Sequence, residues 1–246
     1  MGDYAVDHHH FRHPDWRELP DLEFYPIPSY NVPLGVIVPK QNDVENLLVV
    51  EKSVSVSNLI NGAPRLQPVV MQLGQAAGAL AGLSQIQERP VKKVSVRAVQ
   101  NALLDAGCYI MPYLDLDKDH PHFKALQKIG ATGILRGEGR NVGWANQTWF
   151  RADAPLLGEE IFAEGYYNGR LPFDKGPIKV GDFANMLRMM GVHLPARLEE
   201  WWSGLGLNDY DYDRNITRLE AAVIVDATID PFNMLGVDYN GNFYRY

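Results

Sequence analysis

The stretch GAPRLQPVVMQLGQAAGALAGL, residues 62–83, decides how the first part of the chain folds. Proline is tolerated in the first turn of a helix, so Pro68 marks a helix start. The pattern predicts that this helix continues through Gln75 and Leu80 to about Leu83. Its many glycines and alanines would let another backbone approach closely.

Proline, glycine and asparagine positions divide the rest of the chain into shorter elements. Six prolines before residue 40 forbid a long helix there and favour short strands and loops. The apolar run Leu47–Val50 predicts a strand buried on both faces. A helix capped by Ser95 and ending before Gly107 is also expected. Later helices are predicted from His120-Pro121 to Gly133 and over residues 155–167, 180–190, 197–202 and 217–228.

Composition excludes several classes of protein. The chain has 246 residues, and its 23 Lys and Arg against 30 Asp and Glu give a net charge of −7, so a nucleic-acid partner is not expected. The single cysteine, Cys108, excludes an internal disulfide and Cys-rich metal sites, and it is expected to be a buried inert thiol. The apolar stretch 69–83 is interrupted and too short for a membrane span.

The character of the sequence changes near residue 110. Residues 1–110 contain the predicted strands and the glycine-rich helix, whereas residues 111–246 are predicted to be mainly helical, so the predicted fold class is α+β. Residues 150–156 and 213–218 each lead from a polar turn into a helix. Their spacing indicates a degenerate internal repeat of two copies.

Five motifs in the first region occur in a fixed order: MGDYAVDHH at 1–9, YPIP at 25–28, VPK at 38–40, ENLLV at 45–49, and GAPRLQP at 62–68 followed by LGQAA at 73–77. Together they resemble the C-terminal part of bacterial FAD-dependent oxidoreductases, a family whose members are often labelled xanthan lyases. The resemblance implies that the helix start approaches the isoalloxazine end of a flavin.

The resemblance also implies roles for individual residues in the parent protein. Arg65, Gly74 and Gln75 would help to seat FAD, and Asp7 and His8 would face the substrate as the catalytic candidates. The fingerprint Gly-x-Gly-x-x-Gly, which holds a dinucleotide pyrophosphate, occurs nowhere in the chain. We therefore expect a C-terminal fragment that binds no FAD and is inactive alone.

A truncated flavin domain would expose apolar surface. We expect strand edges and apolar faces near residues 47–50 and 69–73 to be uncovered and to mediate self-association. The sequence does not identify the cellular compartment, although the resemblance implies a location outside the cytoplasm for the parent.

The second region is similar to S-layer homology repeats. The similarity is carried by Asp115 with the helix after His120, by FRADAPL at 150–156 and by ITRLEAA at 216–222. Such repeats are helical modules that bind cell-wall polysaccharide in assemblies of three. The alternative function is therefore a noncatalytic carbohydrate-binding, cell-wall-binding or scaffolding module. The six aromatic residues able to stack on sugars are Trp144, Trp149, Trp201, Trp202, Tyr210 and Tyr212.

Two clusters have the residue types of metal sites. His8 and His10 share a face if residues 7–13 form a strand, which supplies at most two imidazole ligands. Acidic residues occupy positions 1, 3, 5 and 12 of a calcium loop at Asp209, Asp211, Asp213 and Glu220. Position 6 is Arg214 instead of glycine, so a turn in which Thr217 and Glu220 form a capping box accounts for the same residues. No metal is expected, and these four residues are the weak calcium candidates.

Overall fold

A computed structural model describes residues 1–4, 28–40, 44–57, 60–143, 145–162, 166–167, 171 and 175–245. The chain forms two compact units. The first unit comprises Met1–Ala106, Gly139–Thr148 and Val237–Asn242. The second unit comprises Gly107–Glu138, Trp149–Gly236 and Phe243–Tyr246. The first boundary falls close to the change expected after residue 110, but two later segments return to the first unit.

The described residues are mainly helical and carry two small sheets, which confirms the α+β class. The helices are α1 (Gln67–Ile86), α2 (Val96–Asp105), α3 (Phe123–Thr132), α4 (Val180–Met189), α5 (Leu198–Gly204), α6 (Arg218–Thr228) and α7 (Pro231–Met234). The strands are β1 (Glu138–Val142), which pairs with β2 (Ala145–Trp149), and β3 (Leu235–Val237), which pairs with β4 (Phe243–Arg245).

Helix α1 builds the core of the first unit with one of its faces. Its buried residues Val69, Leu73, Ala77 and Leu80 recur every three or four positions and therefore line one side of the helix. They belong to one apolar cluster with five residues from outside the helix, namely Ile37, Val54, Val91, Val94 and Val99. Burial of this face, more than intrinsic propensity, stabilises a helix so rich in glycine.

Tyr239 ties the late segment 237–242 into the first unit. Its hydroxyl donates to the carbonyl oxygens of Val91 and, at 2.9 Å, of Val94. Its own carbonyl accepts from the amide of Gly35 at 2.7 Å, where a Cβ would collide with that oxygen. The unit is thus completed by residues far from residues 1–106 in sequence.

Most predicted helices are confirmed. Helices α1 to α6 include or closely match the predicted ranges, except for the range 155–167. Gly133 ends α3 in the left-handed conformation at φ 76°, as a C-terminal glycine should. Ser95 precedes α2, but its side chain makes no capping hydrogen bond.

Two predicted elements are wrong. Within 155–162 the structure has only a 3-10 turn, Gly158–Glu160, because the backbone before it forms bridges to other segments. The run Leu47–Val50 is extended but pairs with no strand among the described residues. Leu47 and Val50 are 48% and 36% exposed, so the run is not buried on both faces.

Three short segments meet at the centre of the second unit and close a ring of hydrogen bonds. The amide of Leu156 donates to the carbonyl of Ile216, Ile216 donates to Ile178, and Ile178 donates to Leu156, with N···O distances of 2.9, 2.9 and 3.0 Å. All three side chains are buried. We call these three residues the hydrogen-bonded triangle.

Each member of the triangle is followed four residues later by a carboxylate. The three copies are PLLGEE at 155–160, PIKVGD at 177–182 and NITRLE at 215–220. Glu220 accepts from the amide of Thr217 at 2.8 Å and Glu160 accepts from the amide of Leu157 at 3.1 Å, so two copies share the same helix-start geometry. The internal repeat therefore has three copies where the sequence indicated two.

The substitution Ile216→Ala tests the triangle. We expect a loss of about 2–5 kcal/mol in the free energy of unfolding, because the buried side chain leaves a cavity between three segments. Ile86→Ala is the matched control. Its side chain is 80% exposed, so the same change should cost less than about 0.5 kcal/mol. Urea denaturation monitored by circular dichroism measures both, and equal small losses would contradict a structural role for the triangle.

Candidate functional site

The outer face of α1 is uncharged and uncovered. None of the 20 residues of the helix is Asp, Glu, Lys or Arg. Gly74, Gly78 and Gly82 follow one another at four-residue spacing, and a Cβ added at any of them would meet no other described residue within 4 Å. Met71 and Ile86 at the two ends of this face are 72% and 80% exposed. We call the face defined by these five residues the glycine face.

The residues expected to seat a flavin lie on α1 or just before it. Gly74 and Gln75 are exposed, and Gly74 is part of the glycine face. Arg65 is half-buried in the turn that leads into the helix. The N-cap residue of α1, Leu66, makes no side-chain capping hydrogen bond, and Pro68 occupies the first turn of the helix. The structure therefore brings Arg65 and an uncapped helix start together, with Gly74 and Gln75 further along the same helix.

The expected catalytic pair falls in a part of the chain that the structure does not describe. Asp7 and His8, like His9, His10 and His13, lie outside the described residues. Their role facing a substrate and the idea of an imidazole metal site both stay predictions. Trp144, one of the aromatic candidates for sugar stacking, also lies outside the described residues.

Only part of the exposed apolar surface of the first unit lies where the sequence predicted it. Leu47 and Val50 are exposed, but their run forms no strand edge among the described residues. Val69 and Leu73 are instead 2% and 8% exposed, because they point into the core of the same unit. The exposed apolar part of the helix is the glycine face on its opposite side.

Residues 217–220 have the pattern Thr-Arg-x-Glu, the signature part of the resemblance to S-layer homology repeats, and its Arg218 is a core residue of the second unit. It is 3% exposed, and its guanidinium donates to the carbonyl oxygens of Phe150 at 2.8 Å and Arg136 at 2.6 Å. It also forms an ion pair with Glu160 at 3.0 Å. Three protein acceptors thus satisfy this cation. The signature residue therefore stabilises the repeat frame and is not displayed to a ligand.

Two further polar side chains hold the same region. Asp115 accepts from the amides of Phe150 at 2.8 Å and Arg151 at 2.7 Å. Tyr113 packs its ring against that of Phe150, and burial raises the pKa of its hydroxyl above the ordinary value. Asp115 thus supports the backbone at Phe150 and Arg151, whereas the buried hydroxyl of Tyr113 has no hydrogen-bond partner among the described residues.

The acidic loop of the second unit is occupied by an internal cation. Arg214 donates to both carboxylate oxygens of Glu220, at 2.6 and 3.0 Å, and to the carbonyls of Asp209 at 2.7 Å and Asn215 at 3.0 Å. The hydrogen bonds to Glu220 raise the pKa of Arg214. Asp211 accepts from the amide of Asp213 at 2.9 Å. The guanidinium thus takes the acceptors that a loop cation would need.

The capping box expected at this loop is present. Thr217 accepts from the amide of Glu220 at 3.2 Å, and Glu220 accepts in return from the amide of Thr217. Among the residues that the structure describes, no group of three or more His, Cys, Asp or Glu residues is placed to hold a metal ion. The four weak calcium candidates, Asp209, Asp211, Asp213 and Glu220, are therefore not brought together as a ligand set.

The aromatic candidates divide between core and surface. Trp202 is 2% exposed and donates from Nε1 to the carbonyl of Asn208 at 2.8 Å, while Trp201 is half-buried. Tyr212 is 44% exposed, and its hydroxyl accepts from the side-chain amide of Asn185 at 3.2 Å. Arg188 contacts the oxygen of the same amide at 2.9 Å. Tyr212 is thus the most exposed of these rings in the described part of the chain.

None of the helices formed by the described residues combines the length and the apolar character needed to cross a bilayer. This agrees with the interruptions in residues 69–83.

The substitution Arg214→Ala tests the internal cation. We expect a loss of about 2–3 kcal/mol, because Glu220 is left largely buried without its partner. Arg197→Ala breaks an ion pair of similar length, 2.8 Å, between side chains that are 78% and 67% exposed, and should cost less than about 1 kcal/mol. Thermal denaturation with and without millimolar calcium measures both effects. A calcium-dependent rise in the midpoint of the unsubstituted chain would contradict this assignment.

Comparison with protein families gives one match, which falls in the first unit. Residues 1–103 match the family model described as FAD dependent oxidoreductase, and this range contains α1 and most of α2. No curated protein and no solved structure shows a significant match to the chain. The similarity of the second region to S-layer homology repeats stays a prediction. Residues 1–103 are thus similar to the FAD-dependent oxidoreductase family.

Proposed function

We propose that this chain supplies the C-terminal part of an FAD-dependent oxidoreductase, and that the dinucleotide-binding part of the enzyme covers its glycine face. The family match to residues 1–103 supports the oxidoreductase class. The fingerprint Gly-x-Gly-x-x-Gly binds the cofactor pyrophosphate and is absent from this sequence. This absence supports a pyrophosphate site on another part of the enzyme. The chain would then be inactive alone.

The glycine face is the observation that carries this proposal. Glycine in a helix interior costs about 1 kcal/mol relative to alanine, so three glycines destabilise α1 by roughly 2–3 kcal/mol. Nothing in the described chain requires them, since the space above each is open. Close packing of a partner's backbone against α1 explains why these glycines are present.

The residues of the first unit fit one end of a flavin only. FAD supplies hydride-transfer chemistry when it is bound. The uncapped start of α1 offers amide donors and the positive end of a helix dipole, which stabilise negative charge, and Arg65 adds a cation to the turn before it. Asp7 and His8 are proposed to face the substrate. The pyrophosphate fingerprint is absent from the sequence, so we derive no redox step for the chain by itself.

Co-expression with the dinucleotide-binding part of an oxidoreductase of this family tests the proposal. We expect the two polypeptides to copurify with bound FAD, which is measured by visible flavin absorbance across a size-exclusion peak. Gly78→Leu should abolish copurification, because the side chain blocks close approach to the centre of the glycine face. It should leave the chain folded, since leucine favours a helix more than glycine does.

Gly204→Leu is the matched control. Gly204 is an exposed helical glycine at the end of α5 in the second unit, and a Cβ there would also meet nothing within 4 Å. This variant should copurify as the unsubstituted chain does. Equal copurification of Gly78→Leu and Gly204→Leu, or no copurification of any form, would contradict the proposed role of the glycine face.

A second function has support from one surface of the second unit. Tyr212 presents an exposed ring beside Asn185 and Arg188, which is the combination of an aromatic face and hydrogen-bonding groups that suits a sugar. The alternative proposal is therefore a noncatalytic module that binds a polysaccharide or cell-wall glycan. A polysaccharide is also the substrate class implied by the xanthan lyase label of the resembling proteins.

Binding to xanthan and to purified cell-wall glycan, measured by affinity electrophoresis, tests this alternative. Retardation of the unsubstituted chain would support the alternative if Tyr212→Ala lowers the affinity at least tenfold. One stacked ring contributes roughly 1–2 kcal/mol. Trp202→Phe is not a suitable control, since Trp202 is core. Tyr244→Ala removes a ring of similar exposure, 43%, from a different surface and should leave retardation unchanged. No retardation would contradict the alternative.

A further inference from the structure

Helix α6 carries a carboxyl group at a place where three helices pack. Asp226 lies in the last turns of α6, which contacts both α3 and α7, and α3 in turn contacts α7. Its Oδ1 atom is buried and has no hydrogen-bond partner among the described residues. A buried carboxylate oxygen without a partner is costly when ionised, so this group favours the protonated form.

The cation that acts on Asp226, Lys128, contacts an aromatic ring of α7. The Nζ atom of Lys128, on α3, lies 5.8 Å from the centroid of the Phe232 ring on α7. Phe232 is fully buried, so its ring is a fixed partner for the ammonium group. Helix α3, which carries Lys128, packs against α6, and the charge of Lys128 lowers the pKa of Asp226, yet the Oδ1 atom of Asp226 receives no hydrogen bond from it.

Asp230 and Lys124 are the other charged residues of the turn before α7 and of α3. Asp230, in the turn between α6 and α7, repels a negative charge on Asp226. Lys124 is the other cation of α3 and is exposed one turn before Lys128. Helix α7, Pro231–Met234, contains no titratable side chain. Burial raises the pKa of Asp226 to about 6, and Lys128 opposes this effect only in part.

We propose that Asp226 and Lys128 form a proton-controlled latch on helix α7. With Asp226 protonated, the ammonium group of Lys128 stays on the ring of Phe232 and holds α7 against α3. With Asp226 ionised, the carboxylate attracts the ammonium group away from the ring, and α7 is held less tightly. The transition moves one proton between Asp226 and solvent and changes no other covalent bond.

The sign of the stability change follows from the direction of the pKa shift. A carboxyl group whose pKa is raised by folding binds its proton more tightly in the folded chain than in the unfolded chain. Its stabilising contribution is present below the unfolded value, near 4, and is lost as pH rises through about 6. The latch is therefore closed under acidic conditions and loosened at neutral pH.

Nuclear magnetic resonance of the full chain between about pH 4 and 8 tests the latch. The carboxyl carbon of Asp226 should titrate with a midpoint near 6, and the ε-methylene protons of Lys128 should move with the same midpoint as they leave the shielding face of Phe232. Urea denaturation should show roughly a tenfold fall in the folding equilibrium constant over this range, after allowance for partial exposure of the carboxyl group.

Three variants separate the latch from a merely buried carboxyl group. Asp226→Asn should keep the Lys128 signals in their acidic position at every pH and remove this part of the stability change. Lys128→Met keeps the aliphatic stem and should move the Asp226 midpoint upward. Asp182→Asn, an exposed carboxyl change on α4, should alter neither readout. Lys128 signals that stay constant while Asp226 titrates, or that move equally in Asp226→Asn, would overturn the proposal.

Discussion

The hydrogen-bonded triangle of Leu156, Ile178 and Ile216 is the constraint on which the second unit depends. Each segment uses one amide and one carbonyl in the ring, so none of them can be removed without leaving two buried polar groups unpaired. The carboxylates that follow at Glu160 and Glu220 then cap the helical turns that leave the ring. Arg218 links the copy at 215–220 to the copy at 155–160 through its ion pair with Glu160.

The sequence predicted elements whose signals are local and missed those that depend on distant partners. Helices α1 and α6 could be found because Pro68 and the Thr217–Glu220 box mark their starts. Residues 155–162 were predicted as a helix because nothing local reveals that their backbone bonds to residues 176, 178 and 216. The third copy, at 177–182, was missed because only an apolar residue and an acidic residue four positions later are shared by all three copies.

The candidate site shows the same limit. Glycines 74, 78 and 82 were visible in the sequence as small residues, but only the structure shows that the space above them is open. The spacing of Asp209, Asp211, Asp213 and Glu220 suggested calcium, while the guanidinium of Arg214 in the same loop supplies the positive charge from within. The two units therefore differ in character. The second satisfies the charges of this loop internally, and the first leaves an uncharged helix face without a partner in the described chain.

Titration of FAD into the purified chain, followed by quenching of flavin fluorescence, tests the central claim most directly. In the proposed enzyme the pyrophosphate site belongs to another part of the protein, and only the start of α1 and Arg65 lie on this chain. We therefore expect no saturable binding of FAD by the isolated chain. Saturable binding with one site per chain would show that the cofactor is held without the fingerprint, and would contradict the proposal that the chain is one part of a divided flavin domain.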